Sequence, residues 1–180
     1  MIKNSFERDY LLGKRGENIF LEIMENSPLI KKIYPSSLKE QKEGVDGFFI
    51  DNKGNNYSYD LKTLTKTYNN ICLEYISNPI NNIKGWFLTS QADFIFYLYL
   101  DTLIIRTLHL KNMRNWMKKN IHKYSLKESK PTLNKEGKEC YKTLCCYPPL
   151  KDIPKECLHN QLNFIFFKKN PTNSILDFIQ

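Results

Sequence analysis

The stretch GVDGFFIDNKGNNYSYDLKT, residues 44–63, decides how the rest of the chain is read. Its two flanks are rich in apolar and aromatic residues. Between them Asp51-Asn52-Lys53-Gly54-Asn55-Asn56 is turn chemistry, with Gly and Asn available for positive φ. The pattern predicts a hairpin, with one strand over residues 45–50 and an antiparallel return over 57–64. Side chains alternate between faces of a strand, so Ser58, Asp60 and Lys62 share one face while Tyr59 and Leu61 take the other. Asp46 stands at the start of the first strand beside Gly44 and Gly47, whose missing side chains leave room for a backbone or a phosphate. Pairing across the hairpin brings Asp46 to the rim that carries Asp60. An Asp-x-Lys on a strand is most often an exposed ion pair, so the surrounding chain has to decide whether this one does chemistry.

Upstream, residues 6–24 predict an amphipathic helix. Phe6, Tyr10, Gly13, Glu17, Phe20 and Met24 fall on one stripe at three- and four-residue spacing, with Leu12, Ile19 and Ile23 on its flank. Glu17 therefore lies within the apolar stripe. A buried carboxylate needs a partner, either a lysine or arginine at the stripe's edge or a shared site with the hairpin. Gly13 and Gly16 are poor helix formers that would let another backbone or a ligand approach this side. Asn26-Ser27-Pro28 ends the helix, and residues 28–43 read as a connection.

A helix with a glutamate, a strand with an aspartate and then Asp-x-Lys on the next strand resembles the PD-(D/E)xK nuclease superfamily, over roughly residues 6–120. Val45 stands where that family often has proline. The resemblance implies an α/β fold, a mixed central β-sheet flanked by helices in a restriction endonuclease-like core. It also implies metal-dependent hydrolysis of phosphodiester bonds, with Asp46, Asp60, Lys62 and Glu17 as the catalytic set. The chemistry agrees. Mg²⁺ (or Mn²⁺) takes hard oxygen ligands, which Asp46, Asp60 and the Leu61 backbone carbonyl can supply, with Glu17 available for a water or a second ion. Lys62 beside them can orient the attacking water or neutralise developing charge. The expected activity is an endonuclease, with exonuclease action left open. The alternative is a non-catalytic nucleic-acid-binding or interaction module with the same fold.

Beyond the hairpin, residues 71–76 predict a third strand carrying Glu74, which either faces the site or pairs with a cross-strand lysine. Residues 86–93 lead through a short helical turn, where Ser90 and Gln91 either touch substrate or cap the turn. Buried strands follow over 94–100 and 103–108, and the tyrosines Tyr97 and Tyr99 read as core. Residues 110–121 predict a helix with Leu110, Met113, Met117 and Ile121 inward. Lys111, Arg114, Lys118 and Lys119 occupy its other face, suited to nucleic-acid backbone contacts. Residues 124–180 read as a C-terminal extension, with a polar loop or an excursion between strands over 127–138 and a late strand over 162–167.

At 180 residues and 21.4 kDa the chain fits one domain spanning 1–180. Its net charge is +8, and residues 111–142 alone hold ten cations against three acids, which is either a solvated lysine-rich face or a surface that steers a polyanion; the resemblance implies the latter, with DNA the first expected partner and RNA the second. No apolar run reaches the roughly 20 residues of a membrane span, and the N-terminus lacks a secretory apolar core, which predicts an intracellular, cytoplasmic protein without membrane contact. Five cysteines, Cys72, Cys140, Cys145, Cys146 and Cys157, are an odd number without the paired spacing of structural zinc sites, so buried reduced thiols are expected. One active site cuts one strand. A double-strand cutter would therefore be expected to work as a homodimer.

Overall fold

The computed structural model describes residues 5–133, 136 and 138–158; the strand expected over 162–167 lies outside them. The chain begins with α1 (Ser5–Glu25), β1 (Ile30–Pro35) and α2 (Leu38–Lys42), and then forms the hairpin of β2 (Gly47–Asp51) and β3 (Asn56–Leu64). Next come β4 (Leu73–Asn78), β5 (Ile83–Lys84), the single turn α3 (Trp86–Thr89), β6 (Phe94–Tyr99), β7 (Ile104–His109) and α4 (Leu110–Asn120). A second hairpin, β8 (Lys127–Leu133) and β9 (Glu139–Cys146), follows.

The hairpin forms for local reasons. Gly54 has φ +84°, and the Asp51 carboxylate accepts hydrogen bonds from the amides of Lys53 and Asn55, both at 2.9 Å, which closes the turn. Beside it the strands order β1-β2-β3-β6-β7 in a five-stranded mixed sheet, in which β3 and β6 run parallel and every other pair is antiparallel. A parallel pair needs a crossover. Here the crossover is built from β4, β5 and α3 rather than from one long helix.

β6 is the centre of the packing. All six of its residues, FIFYLY, are buried, as expected of a strand covered on both faces. Phe94, Phe96 and Leu98 meet Phe20, Ile23 and Met24 of α1 together with Phe49 and Tyr59. Ile95, Tyr97 and Tyr99 enter a second core with Leu73, Cys146, Leu110, Met113 and Met117. That second face carries a four-stranded antiparallel sheet, β5-β4-β9-β8. The molecule is thus a mixed α/β protein with two sheets and few helices, and the expected flanking layer of helices is on one face partly replaced by a sheet.

Four local expectations change. The connection over 28–43 contains β1, whose Ile33 and Tyr34 pair with Phe49 and Phe48. It also contains α2, started by a capping box between Ser37 and Glu40. The polar loop over 127–138 is largely β8, an edge strand whose register slips twice against β9 and whose Glu128 meets Lys142 at 3.1 Å. Residues 71–76 do yield a strand, shifted to Leu73–Asn78 and placed in the second sheet. The inward face of α1 is Gly16, Phe20, Ile23 and Met24; Tyr10 is 60% exposed and Gly13 has open space around it. Gly16 alone gives the close approach, since a Cβ there would lie 1.9 Å from Thr63 Oγ1.

Candidate active site

The site arises where β2 and β3 part. Pairing between them stops at Gly47 and Tyr59, so the C-terminal half of β3 has no β2 partner. The chain reaches this point from α2 through Gly44, at φ +75°, and Val45. The Asp46 amide still donates to the Tyr59 carbonyl at 2.8 Å, and the Asp46 carboxylate then accepts from the Leu61 amide at 2.8 Å. A side chain thereby takes over a hydrogen bond that the departing strand can no longer make. In a strand the amide and carbonyl of one residue point to the same side. The Leu61 carbonyl therefore faces Asp46, away from β6.

Asp60 projects from the opposite face of β3 to Leu61 and is 2% exposed. Its Oδ1 lies 2.7 Å from Lys62 Nζ, and its Oδ2 is buried with no hydrogen-bond partner. Burial raises its pKa to about 6; the Lys62 charge opposes that shift, and the neighbouring Asp46 charge adds to it. Lys62 in turn sits 5.2 Å from the centroid of the Trp86 ring. A buried, unpaired carboxylate oxygen is costly to keep, on the order of 1–3 kcal/mol even for a neutral acceptor. A cation ligated at Oδ2 would remove that cost, so the donor set of Asp46, Asp60 and the Leu61 carbonyl fits a hard divalent ion.

Asp46 and Lys62 open on a cleft of about 670 Å³, in the size range of small-ligand and substrate pockets, while Asp60 lies buried behind its wall. Asp46, Leu61 and Lys62 line it from the sheet, Gly13, Lys14 and Glu17 from α1, and Trp86 from α3. Glu17 thus shares the cleft, but its carboxylate is paired with Lys14 at 2.8 Å on the helix surface. Its charge still reaches the site: together with burial and Asp46 it pushes the Tyr59 phenol well up. Among the described residues no three His, Cys, Asp or Glu side chains gather as a metal-binding group, and Glu17 lines the cleft on the α1 wall.

The accessory candidates disperse. Glu74 does not line the cleft, and its strand partner is Cys145 instead of a lysine. Ser90 is 1% exposed; its hydroxyl donates to the Gly44 carbonyl at 2.7 Å, a structural tie rather than a substrate contact. Gln91 is exposed and donates to the Thr89 carbonyl at 3.1 Å. On α4, Lys111, Lys118 and Lys119 face solvent, whereas Arg114 turns inward to donate to the carbonyls of Phe87 and Ser90, both at 2.7 Å. Cys145, Cys146 and Cys157 are buried, Cys72 is half-buried and Cys140 is exposed, all as free thiols. Gln41, Tyr10 and Trp86 also line the cleft, although no motif in the sequence marks them as site residues. For Trp86 the available signal is Gly85 before it.

No protein-family model, curated protein or solved structure matches this chain. Its chemistry therefore has to follow from the geometry of the cleft.

Proposed function

We propose that this chain is a metal-dependent nuclease that hydrolyses phosphodiester bonds, with DNA as the leading substrate and RNA the second. One observation carries the reading: a carboxylate buried in the sheet, with Oδ1 on Lys62, Oδ2 lacking a donor, and the Asp46 carboxyl near enough for the two to share a proton when one of them is protonated. A purely structural ion pair does not ordinarily leave a buried carboxylate oxygen without a donor next to a second carboxyl.

In the reaction a water oxygen bonds to phosphorus as one ester P–O bond breaks, leaving a phosphate on one fragment and a hydroxyl on the other. Asp46, Asp60 and the Leu61 carbonyl would hold Mg²⁺ or Mn²⁺, which would supply positive charge against the phosphate oxygens and acidify water. The protein's own groups do the placing. Asp46 is fixed by the Leu61 amide, so its free oxygen is pre-aimed. Lys62 holds Asp60 Oδ1 and presents N–H donors towards the cleft, where they can stabilise charge on the phosphate. Glu17 and Lys14 on the α1 wall offer one charge of each sign to the substrate's approach.

The test is cleavage of supercoiled plasmid, linear duplex, branched DNA and single-stranded RNA in Mg²⁺ or Mn²⁺. The wild type is expected to cut in a chelator-sensitive way, and Asp60→Asn and Lys62→Ala to lose on the order of 100-fold or more in rate. Equal cutting by all three proteins would sink the site. Binding of DNA without any cutting would favour a non-catalytic nucleic-acid-binding module.

A further inference from the structure

We propose that Trp86 is a positioning residue for Lys62, its indole face holding the ammonium on Asp60 Oδ1 so that the buried Asp60 Oδ2 is left without a donor. The inference rests on the reading of Asp60 and Lys62 as the reactive pair, and adds a residue that acts through the lysine.

A lysine stem has four rotatable bonds, and the Lys62 side chain keeps 28% of its surface exposed, so one carboxylate contact leaves it a route into water. Trp86 closes that route. Its ring centroid lies 5.2 Å from Nζ, within the range where the ring quadrupole attracts a cation, and Asp60 Oδ1 lies at 2.7 Å. The ammonium is held by both. The neighbouring aromatic on β6, Tyr97, faces Lys62 in register but uses its hydroxyl on the Cys72 carbonyl.

The indole is itself built into place. It makes edge contacts with Phe87 at 6.0 Å and with Tyr97 at 6.3 Å. The residue before it must be glycine, because a Cβ at Gly85 would lie 2.3 Å from the Glu74 carbonyl oxygen; the Gly85 amide donates to the Tyr75 carbonyl at 2.8 Å. At the other end of α3 the Ser90 amide returns to the Trp86 carbonyl at 2.9 Å. Ser90 then grips Gly44 through its hydroxyl, the Gln91 amide donates to the Glu43 carbonyl at 2.9 Å, and Arg114 holds the carbonyls of Phe87 and Ser90. The segment 43–46 that delivers Asp46 and the ring that holds Lys62 therefore hang from one turn. A tryptophan serving only as filler would not need its face presented to a lysine that already has a carboxylate.

The experiment uses the full chain with ¹³C-labelled lysine. The Lys62 ε-methylene signal, assigned by its loss in Lys62→Arg, is expected to carry an upfield ring-current displacement. Trp86→Phe should keep a displacement, while Trp86→Leu and Trp86→Met should lose it. In cleavage assays Trp86→Leu and Trp86→Met are expected to lower kcat about tenfold with KM nearly unchanged, and Trp86→Phe to stay within about threefold of wild type. An undisplaced Lys62 signal in the wild type overturns the proposal. So does wild-type kcat in the folded Leu and Met variants when Asp60→Asn is inactive. If Asp60→Asn cuts as well as wild type, the nuclease reading falls separately, and a Lys62 signal that depends on the indole still supports the positioning.

Discussion

At Asp60 the stability of the protein becomes pH-dependent in a direction opposite to that of an ordinary salt-bridged aspartate. Its folded pKa is raised from 3.8 to about 6, so between those values the folded state holds a proton that the unfolded state has lost. The contribution of Asp60 to stability is then fully present below about pH 4, falls as pH rises to about 6 and levels off above it, by a total on the order of 3 kcal/mol, against the opposite trend from Asp51 and Asp101, whose pKa values are lowered. Urea unfolding of the metal-free protein across that window should show the fall, and Asp60→Asn should flatten it. A slope unchanged in the variant would place the titration elsewhere. Lys62→Ala should move the midpoint upward, because Lys62 is the group that opposes the shift. A divalent ion bound at Asp60, as proposed, would have to displace this proton, so Mn²⁺ is expected to raise the melting temperature clearly at pH 7.5 and little at pH 5. Equal stabilisation at both pH values would remove Asp60 from the donor set.

Among the elements, the hairpin is legible in the sequence because two local rules agree: turn residues in the middle and period-two alternation on the return strand. That alternation alone puts Asp60 and Lys62 on one face, where the structure pairs them at 2.7 Å. β1 and β8 are not legible because edge strands tolerate lysine and proline, so Lys31, Lys32 and Pro131 mask the pattern. Arg114, Ser90 and Trp86 carry their roles through contacts with distant sequence, Ser90 with Gly44 and Arg114 with Phe87 and Ser90, which no local period encodes. The phase of α1 departs from its apparent apolar stripe for a physical reason. Tyr10 and Gly13 line the cleft, so that part of the stripe belongs to the site wall, while the core stripe runs through Gly16. Gly16→Ala tests this packing. Its methyl would meet Oγ1, Cγ2 and Cβ of Thr63, the last at 2.6 Å, so rotating Thr63 gives no relief. The helix must lift from β3, at a cost of about 1–3 kcal/mol and a widened cleft. Thr63→Gly in the same chain should recover part of the loss in chemical denaturation; a neutral Gly16→Ala would mean that α1 does not seat on β3 here.

For the whole molecule, charge and architecture make separable claims about how the proposed polyanion would be held. The net charge of +8 belongs to the chain, but the structure sorts the cations of α4 into two kinds. Lys118 and Lys119 are exposed in its last turn, where they can neutralise phosphates, whereas Arg114 spends its guanidinium on the carbonyls of Phe87 and Ser90. Binding measured on the Asp60→Asn chain, to avoid cleavage, should separate them. Replacing Lys118 and Lys119 by alanine should weaken DNA binding at low salt and reduce the slope of log affinity against log salt by about one for each phosphate no longer neutralised. The weakening should be similar across sequences, since such lysines read the backbone rather than the bases. Arg114→Leu should instead leave the slope unchanged and lower stability by about 1.5–3 kcal/mol, the scale of hydrogen bonds made by a charged group. Because Ser90 also grips the segment that carries Asp46, that variant should slow cleavage more than it weakens binding. If Arg114→Leu and the double lysine variant shifted the salt slope alike, the inward placement of Arg114 would be wrong, and α4 would be one continuous basic face.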